Sequence, residues 1–197
     1  FTGRERALLF STGYGANLGA INALVGKRDH VIEDRLNHAS LLDGGRISGA
    51  EFHWYAHADM LDLEAQLHGL GEAAAQALVV SDGTFSMDGD RCPITELTSL
   101  VSRHNAWLMI DDAHGFGVHG DGGRGLVDPA TFDSKDVLVL MATLGKAVGT
   151  CGAFIAGDAA LIEFLVQRAR NYIYATAVPA AVASATLASL ELVQTED

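Results

Sequence analysis

Cysteine and proline are both scarce in this 197-residue sequence, which contains two cysteines and three prolines. Cys92 and Cys151 lie far apart and belong to no group of closely spaced metal-binding residues. Two isolated thiols indicate a reducing compartment, and we expect a cytoplasmic protein. The low proline content, beside 22 glycines, predicts many tight turns rather than a proline-rich linker.

Basic residues are also few, because 13 Lys and Arg against 25 Asp and Glu give a formal net charge of −12. This balance argues against a general surface for nucleic acid or anionic membranes, so an anionic ligand must be held locally by backbone amides and placed cations. No uninterrupted apolar run reaches the ~18 residues of a membrane span. The opening segment FTGRERALLF lacks the pattern of a signal peptide. We therefore expect no nucleic acid and no membrane among the partners.

The remaining composition, 49% hydrophobic and 19% charged, is typical of a globular domain. Short apolar runs alternate with amphipathic stretches. The predicted strands are Ala7–Phe10, His30–Asp34, Glu51–Tyr55, Ala77–Ser81, Trp107–Ile110, Val137–Ala142 and Ala153–Ala156. The predicted helices are Tyr14–Val25, Ala39–Ser48, Met60–Leu67, Ile94–His104, Ala159–Tyr172 and Ala180–Gln194. This alternation predicts βα units and a mostly parallel sheet whose strands are buried on both faces.

Polar clusters follow five of the predicted strands. They are Ser11–Asn17, Asn37-His38, Asp82–Ser86, Asp111–His114 and Thr143–Lys146. Ligands of open α/β sheets bind outside the carboxyl ends of the strands, so these clusters predict one shared site.

Lys146 and Asp111 carry the most specific chemistry in these clusters. A lysine confined at a strand end can lose its proton and attack an aldehyde, although a lone loop lysine is more often a solvated surface residue. Asp111 and Asp112 end an apolar strand and call for a cationic partner. A protonated pyridine nitrogen would serve, and its ring would then act as an electron sink. A metal site or a helix cap explains Asp-Asp-x-His equally well at this stage.

The other clusters are individually less specific. Glycines in FSTGYGAN (10–17) allow backbone amides at a helix start to approach a phosphate, without the spacing of a P-loop or a dinucleotide fingerprint. His38 either stacks on a flat cofactor or belongs to a helix-capping segment. The segment SDGTFSMDGD (81–90) either holds ring substituents or builds turns.

The order and wording of these segments resemble the α-oxoamine synthases, a family of fold-type-I pyridoxal-5′-phosphate (PLP) enzymes that join an amino acid to an acyl-CoA with loss of CO₂. The similar strings are FSTGYGAN, LNHASLLDG, SDGTFSMDGD, LMIDDAHGFGVHGDGGRG, ATLGKAVG and NYIYATAVPAA, which span positions 10 to 181. The resemblance implies an α/β fold with a mostly parallel central sheet and helices on both faces. It further implies that residues 1–197 form the PLP-binding major domain, without the family's N-terminal segment and C-terminal small domain; we expect a longer parent polypeptide.

The resemblance also implies roles for single residues, with no metal. Lys146 would carry PLP as a Schiff base and later move the substrate's Cα proton. Asp111 would pair with the pyridine nitrogen and His38 would stack on the ring. His114 and Ser86 would bond the phenolic oxygen.

Further implied contacts concern the phosphate. Thr143 and the backbone of Gly13 and Tyr14 would hold it. Thr176 would reach the phosphate of a neighbouring subunit's cofactor, which implies a homodimer.

The substrates implied depend on the branch of the family. Asp-Asp-Ala-His-Gly at 111–115 resembles the biotin-pathway branch, which joins L-alanine to pimeloyl-CoA. The branch that joins glycine to acetyl-CoA instead has Asp-Asp-Ser-His-Ala. That branch, another α-oxoamine synthase and a non-catalytic PLP-binding fragment are the alternatives. In the family, the arginine that binds the substrate carboxylate lies in the C-terminal small domain, so we expect it outside residues 1–197.

Overall fold

The computed structural model describes residues 1–195 as one seven-stranded sheet flanked by helices. The strands are β1 (Arg6–Phe10), β2 (His30–Asp34), β3 (Glu51–Tyr55), β4 (Ala77–Asp82), β5 (Trp107–Asp111), β6 (Val139–Thr143) and β7 (Ala153–Gly157). Their order across the sheet is β1-β7-β6-β5-β4-β2-β3. The predicted α/β fold is confirmed.

Seven α-helices connect and flank these strands in the described part of the chain. They are α1 (Gly13–Leu24), α2 (Ala39–Ser48), α3 (Met60–Leu70), α4 (Ile94–Arg103), α5 (Ala159–Arg168), α6 (Arg170–Ile173) and α7 (Ala180–Thr195). Short 3₁₀ helices cover Gly71–Gln76 and Asp121–Gly123. None of the helices described is long and apolar enough to cross a membrane.

Strand direction explains how distant clusters reach one edge of the sheet. The pairs β3–β2, β2–β4, β4–β5 and β5–β6 are parallel. Strand β7 runs antiparallel to both of its neighbours, β6 and β1. Two antiparallel pairings in succession restore the direction, so β1 runs the same way as β2 to β6. The five polar clusters therefore leave the sheet at the same edge.

Helices cover both faces of the sheet, and β4 shows this most directly. All of its six residues are buried. Leu78 lies in a cluster with Ile21 of α1, whereas the next residue, Val79, packs on the opposite face with Leu67 of α3 and Leu97 of α4. Each such buried side chain contributes about 1.5–3 kcal/mol relative to exposure. Burial on two sides is the reason for the uninterrupted apolar runs.

Several predicted boundaries differ from the structure by one to three residues, and two of the corrections have a clear physical cause. The helix expected over Ala159–Tyr172 is broken at Ala169, whose ψ of 100° is not helical. The break buries Ala169 against α1, where a Cβ on Gly19 would lie 3.6 Å from the Ala169 Cβ. Helical periodicity cannot reveal one residue that leaves a helix for a packing contact. Strand β6 begins at Val139 rather than at Val137, because the apolar run starts before the strand pairing does.

Candidate active site

A cavity of about 160 Å³ lies at the carboxyl edge of the sheet. Seven of the nine predicted site residues line it: Gly13, Tyr14, His38, Asp111, His114, Thr143 and Lys146. A larger cavity of about 450 Å³, between β1, β7 and α7, is lined mainly by apolar side chains and by none of these residues. Convergent polar groups identify the smaller cavity as the candidate active site.

The first wall of the cavity is the amino end of α1. Thr12 caps this helix, since its hydroxyl accepts a hydrogen bond of 3.0 Å from the Gly15 amide. The helix begins at Gly13, so the amides of Gly13 and Tyr14 are among the first four, which have no carbonyl partner within a helix. Such amides, with the helix dipole behind them, form a site for a phosphate.

Asp111 ends β5 and forms the floor of the cavity. The residue is buried, with only 4% of its surface exposed. Oδ1 accepts the Ala113 amide at 2.9 Å, and Oδ2 accepts the side-chain amide of Asn17 at 2.7 Å. Burial raises the pKa of Asp111. A carboxylate can accept about four hydrogen bonds, so a cationic N–H donor fits here both in charge and in bonding capacity.

Asn17 connects Asp111 to the imidazole of His38. Its amide also donates to the Ser40 hydroxyl at 2.8 Å, and Ser40 Oγ lies 2.7 Å from His38 Nδ1. The Ser40 backbone amide donates to the same nitrogen at 3.2 Å. Because Nδ1 accepts two donors, the proton of a neutral His38 lies on Nε2. This network fixes the tautomer and the orientation of a ring that borders the cavity.

Asp82 is a second buried acid in the cavity wall. It pairs with Asp111 in the register of β4 and β5. Its Oδ2 accepts the His38 amide at 2.7 Å, while its own amide donates to Asn37 at 2.9 Å. Burial, and then the charge of Asp111, raises the pKa of Asp82 to about 8. Lys146 lines the same cavity, and its charge lowers the pKa of both acids.

The loop after β6 presents Lys146. The loop is closed by hydrogen bonds of 2.9 Å from the Gly149 amide to the Lys146 carbonyl and from the Thr150 amide to the Leu144 carbonyl. Gly149 has φ of +69°, a conformation that favours glycine. The Thr143 hydroxyl donates to the Gly152 carbonyl at 3.1 Å and accepts the Gly145 amide at 3.3 Å. Lys146 thus extends from a tight, internally bonded turn.

His114 follows Asp111 on the loop that borders the cavity. Burial, and then the positive charge of Lys146, lower the pKa of His114. The imidazole is therefore neutral at pH 7, and it can donate or accept a hydrogen bond without adding charge to the site.

Asp112 does not line the cavity, although it is next to Asp111. Its Oδ2 accepts the Leu126 amide at 2.7 Å. A Cβ on Gly115 would come within 2.0 Å of its Oδ1, so glycine is required there for the loop to close over the carboxyl group. Burial raises the pKa of Asp112 to about 7. Asp112 organises the loop, whereas Asp111 faces the ligand space.

The structure does not bring Ser86 and Thr176 into the cavity. Ser86 is exposed on the loop after β4. Thr176 is also exposed and lines a different cavity, with Asn171 and Tyr172 beside β1. Their assigned roles stay predictions.

Asn17, Ser40 and Asp82 line the cavity but were not among the predicted site residues. A signal for Asn17 was present, because it lies four residues after Gly13 and therefore on the same side of α1. Asp82 occupies the first position after the predicted β4, where ligand-binding groups are expected.

Comparisons with known proteins match this chain to one family of enzymes. Residues 1–196 match the family model described as aminotransferase class I and II. The 8-amino-7-oxononanoate synthase of Saccharophagus degradans is 58% identical over 196 residues, which cover 100% of this chain and 49% of that protein. The chain thus spans about half the length of the curated relatives it matches.

Two solved structures are also similar. That of 8-amino-7-oxononanoate synthase from Francisella tularensis has 32% identity and a TM-score of 0.86, covering 100% of this chain and 56% of its own. Serine palmitoyltransferase from S. paucimobilis was solved with a bound PLP–myriocin aldimine. It has 33% identity and a TM-score of 0.90, and the match covers 98% of this chain and 48% of that protein.

Proposed function

The chain belongs to the aminotransferase class I and II family, and we propose that it is the PLP-binding major domain of an α-oxoamine synthase. The reaction proposed joins L-alanine to pimeloyl-CoA and yields 8-amino-7-oxononanoate, CoA and CO₂. The relatives named for this activity, at 57–59% identity over essentially the whole chain, support the choice of substrates. Because the chain spans about half of those relatives, we propose a longer parent polypeptide with an additional N-terminal segment and a C-terminal small domain.

The observation that carries this proposal is the meeting of Lys146, Asp111, His38 and the amino end of α1 around one small cavity. Each feature of the cavity fits one part of PLP. An amine suits the aldehyde, a buried acid suits the protonated pyridine nitrogen, a fixed imidazole suits the ring face, and unpaired helix amides suit the phosphate. Bound PLP would supply an electron sink for negative charge developing at the substrate's Cα.

The residues of the chain would divide the work as follows. Lys146 Nζ would hold PLP as a Schiff base, and once released it would take the Cα proton of L-alanine and return it at the end. The Asp111 carboxylate, held by Asn17 and the Ala113 amide, would keep a proton on the pyridine nitrogen. Neutral His114 would bond the phenolic oxygen.

The phosphate would bind the Gly13 and Tyr14 amides. The Thr143 hydroxyl must turn away from the Gly152 carbonyl to join them. For Ser86 we propose a bond to the phenolic oxygen after the loop following β4 closes. For Thr176 we propose contact with the phosphate in a neighbouring subunit, consistent with its exposure, and hence a homodimer. The cytoplasmic location stays a prediction.

The test is to measure CoA release by the full-length protein with four substrate pairs: L-alanine or glycine, each with pimeloyl-CoA or acetyl-CoA. We expect the fastest turnover with L-alanine and pimeloyl-CoA. Contact with one methyl group distinguishes alanine from glycine by only about 1–3 kcal/mol, so glycine should be slow but measurable. Faster turnover of glycine with acetyl-CoA would move the protein to the other branch.

A second measurement separates the enzyme from a non-catalytic PLP-binding protein. L-alanine labelled in its carboxyl group should release labelled CO₂ only when pimeloyl-CoA is present. A protein that binds PLP and changes its visible absorbance with L-alanine, but releases neither CoA nor CO₂, would contradict the proposed activity.

A further inference from the structure

His30, Glu51 and His53 form a cluster at the amino ends of β2 and β3, away from the candidate active site. Their nearest ligand atoms are His30 Nδ1, Glu51 Oε2 and His53 Nε2, which all lie within 4.8 Å of one another. His30 begins β2 and Asp34 ends it, and the four steps along the strand between them span roughly 13 Å at about 3.3 Å per residue. The cluster is therefore independent of the PLP cavity.

The backbone itself sets this arrangement. Glu51 and His53 are two residues apart on β3, so their side chains project from the same face of the strand. His30 pairs with Glu51 in the parallel register of β2 and β3. Three side chains that can bind a metal are thus aligned by strand geometry rather than by a flexible loop.

The distances within the cluster favour a shared ion over direct hydrogen bonds. His30 Nδ1 lies 3.4 Å from His53 Nε2 and 3.5 Å from Glu51 Oε2, and the third separation, His53 to Glu51, is 3.9 Å. Good hydrogen bonds between such groups are about 2.7–3.2 Å long. In a tetrahedral zinc site with bonds of about 2.0–2.1 Å, neighbouring ligand atoms are about 3.3–3.4 Å apart. Two of the three separations are close to this distance between zinc ligands. Glu51 can move to shorten the third, because its side chain is 70% exposed.

We propose that His30, Glu51 and His53 bind one divalent transition-metal ion of the zinc class, with water in the fourth position. Two imidazoles and a carboxylate suit zinc, cobalt and nickel, whereas magnesium and calcium prefer oxygen ligands alone. The imidazole of His30 is mostly buried, with 13% side-chain exposure. Burial holds this ligand in place. The exposed side of Glu51 leaves a path for the ion to enter.

The position of the site suggests what the ion does. Strand β3 is at the edge of the sheet and pairs only with β2 among the described strands. A metal ion bound by both strands cross-links this edge, and its binding free energy adds to the stability of the fold.

The experiment is a titration of the full-length, PLP-loaded protein with Zn²⁺ by calorimetry and with Co²⁺ by visible absorbance. We expect one equivalent of each and the intense visible bands of tetrahedral Co²⁺. Glu51→Gln and His53→Ala should each weaken Zn²⁺ binding more than about tenfold. His119→Ala serves as the matched control, because His119 lies beyond the carboxyl edge of the sheet, and it should bind like the unchanged protein.

Thermal unfolding supplies an independent reading. Zn²⁺ should raise the unfolding temperature of the unchanged protein and of His119→Ala, but not that of His53→Ala, whereas Mg²⁺ should have no effect. Glu51→Gln alters an exposed side chain and keeps the test valid if His53→Ala does not fold. Equal affinity in all variants, no binding, or the weak spectrum of six-coordinate Co²⁺ would overturn the proposal.

Discussion

The side-chain amide of Asn17 donates a 2.7 Å hydrogen bond to the buried carboxylate of Asp111. Its second hydrogen goes to Ser40, whose hydroxyl contacts Nδ1 of His38. One amide on α1 thereby positions both the proposed partner of the pyridine nitrogen and the proposed stacking ring. Asn17 lies on α1, Asp111 on β5 and Ser40 on α2, so this one side chain connects three elements around the cavity.

Asn17→Ala should weaken PLP binding about tenfold. The substitution removes one hydrogen bond to a charged group, worth about 1.5–3 kcal/mol. It also removes the bond that orients the Ser40 hydroxyl, which contacts His38. Equilibrium dialysis against PLP measures the change. Asn22→Ala is the matched control, since Asn22 lies on the same helix but is exposed and donates to the Leu18 carbonyl at 2.9 Å. Equal affinities in the two variants would contradict the positioning role.

Asp111 and Asp112 should respond differently to substitution, because their side chains face different surroundings. Asp111→Asn should retain PLP but slow exchange of the Cα proton of L-alanine by about a thousandfold or more, since the ring nitrogen loses its partner. Asp112→Ala should instead lower the free energy of unfolding by roughly 1–3 kcal/mol, because the Leu126 amide loses its acceptor. Proton exchange followed by NMR and denaturant unfolding distinguish them. If both substitutions slowed exchange of the Cα proton to a similar extent, Asp111 and Asp112 would not have the separate roles proposed here.

The location of the site could be predicted from the sequence, but the network within it could not. Polar clusters at strand ends predict that Lys146, Asp111 and His38 meet, because the carboxyl ends of parallel strands share an edge. The contact of Asn17 with Asp111 joins residues 94 positions apart. It depends on how α1 packs against the sheet, which no local pattern specifies.

The sequence likewise did not indicate that β7 would run antiparallel to both of its neighbours, β6 and β1. Alternation of strands and helices predicts parallel neighbours, but the direct connection from β6 to β7 contains no helix. The polar cluster after β1 nevertheless lies at the predicted edge of the sheet. Because β7 is antiparallel to both of its neighbours, β1 runs in the same direction as β6.

Lys146 should be the only lysine that borohydride attaches to PLP. Its side chain lines the cavity, whereas Lys27 and Lys135 lie outside it. Reduction of the PLP-loaded protein followed by peptide mapping should place the pyridoxyl group on the peptide that contains Lys146. Lys146→Ala should lose this label, and Lys135→Ala should keep it. Recovery of the label at Lys27 or Lys135 would refute the assignment.

Glu33 is a buried acid outside the cavity and links stability to pH. Its Oε2 accepts the Asn37 side-chain amide at 3.2 Å, and a Cβ on Gly45 would lie only 2.5 Å from its Oε1. Burial is the first cause that raises the pKa of Glu33, from 4.5 to about 8. The folded protein therefore holds a proton on this carboxyl group over a range of pH in which the unfolded chain has released it.

Stability should consequently fall as pH rises from about 5 to about 8. Between the unfolded and folded pKa values the folded state binds more protons, so Glu33 contributes a loss of up to about 1.4 kcal/mol per pH unit. Glu33→Gln has no such proton to lose and should flatten the dependence. The part that remains comes from Asp82, Asp111 and Asp112, because burial also raises the pKa of each of these acids. Denaturant unfolding of the PLP-free protein at each pH measures the slope. The exposed control Glu96→Gln should keep the full slope, and an unchanged slope in Glu33→Gln would show that Glu33 is already ionised in the folded state.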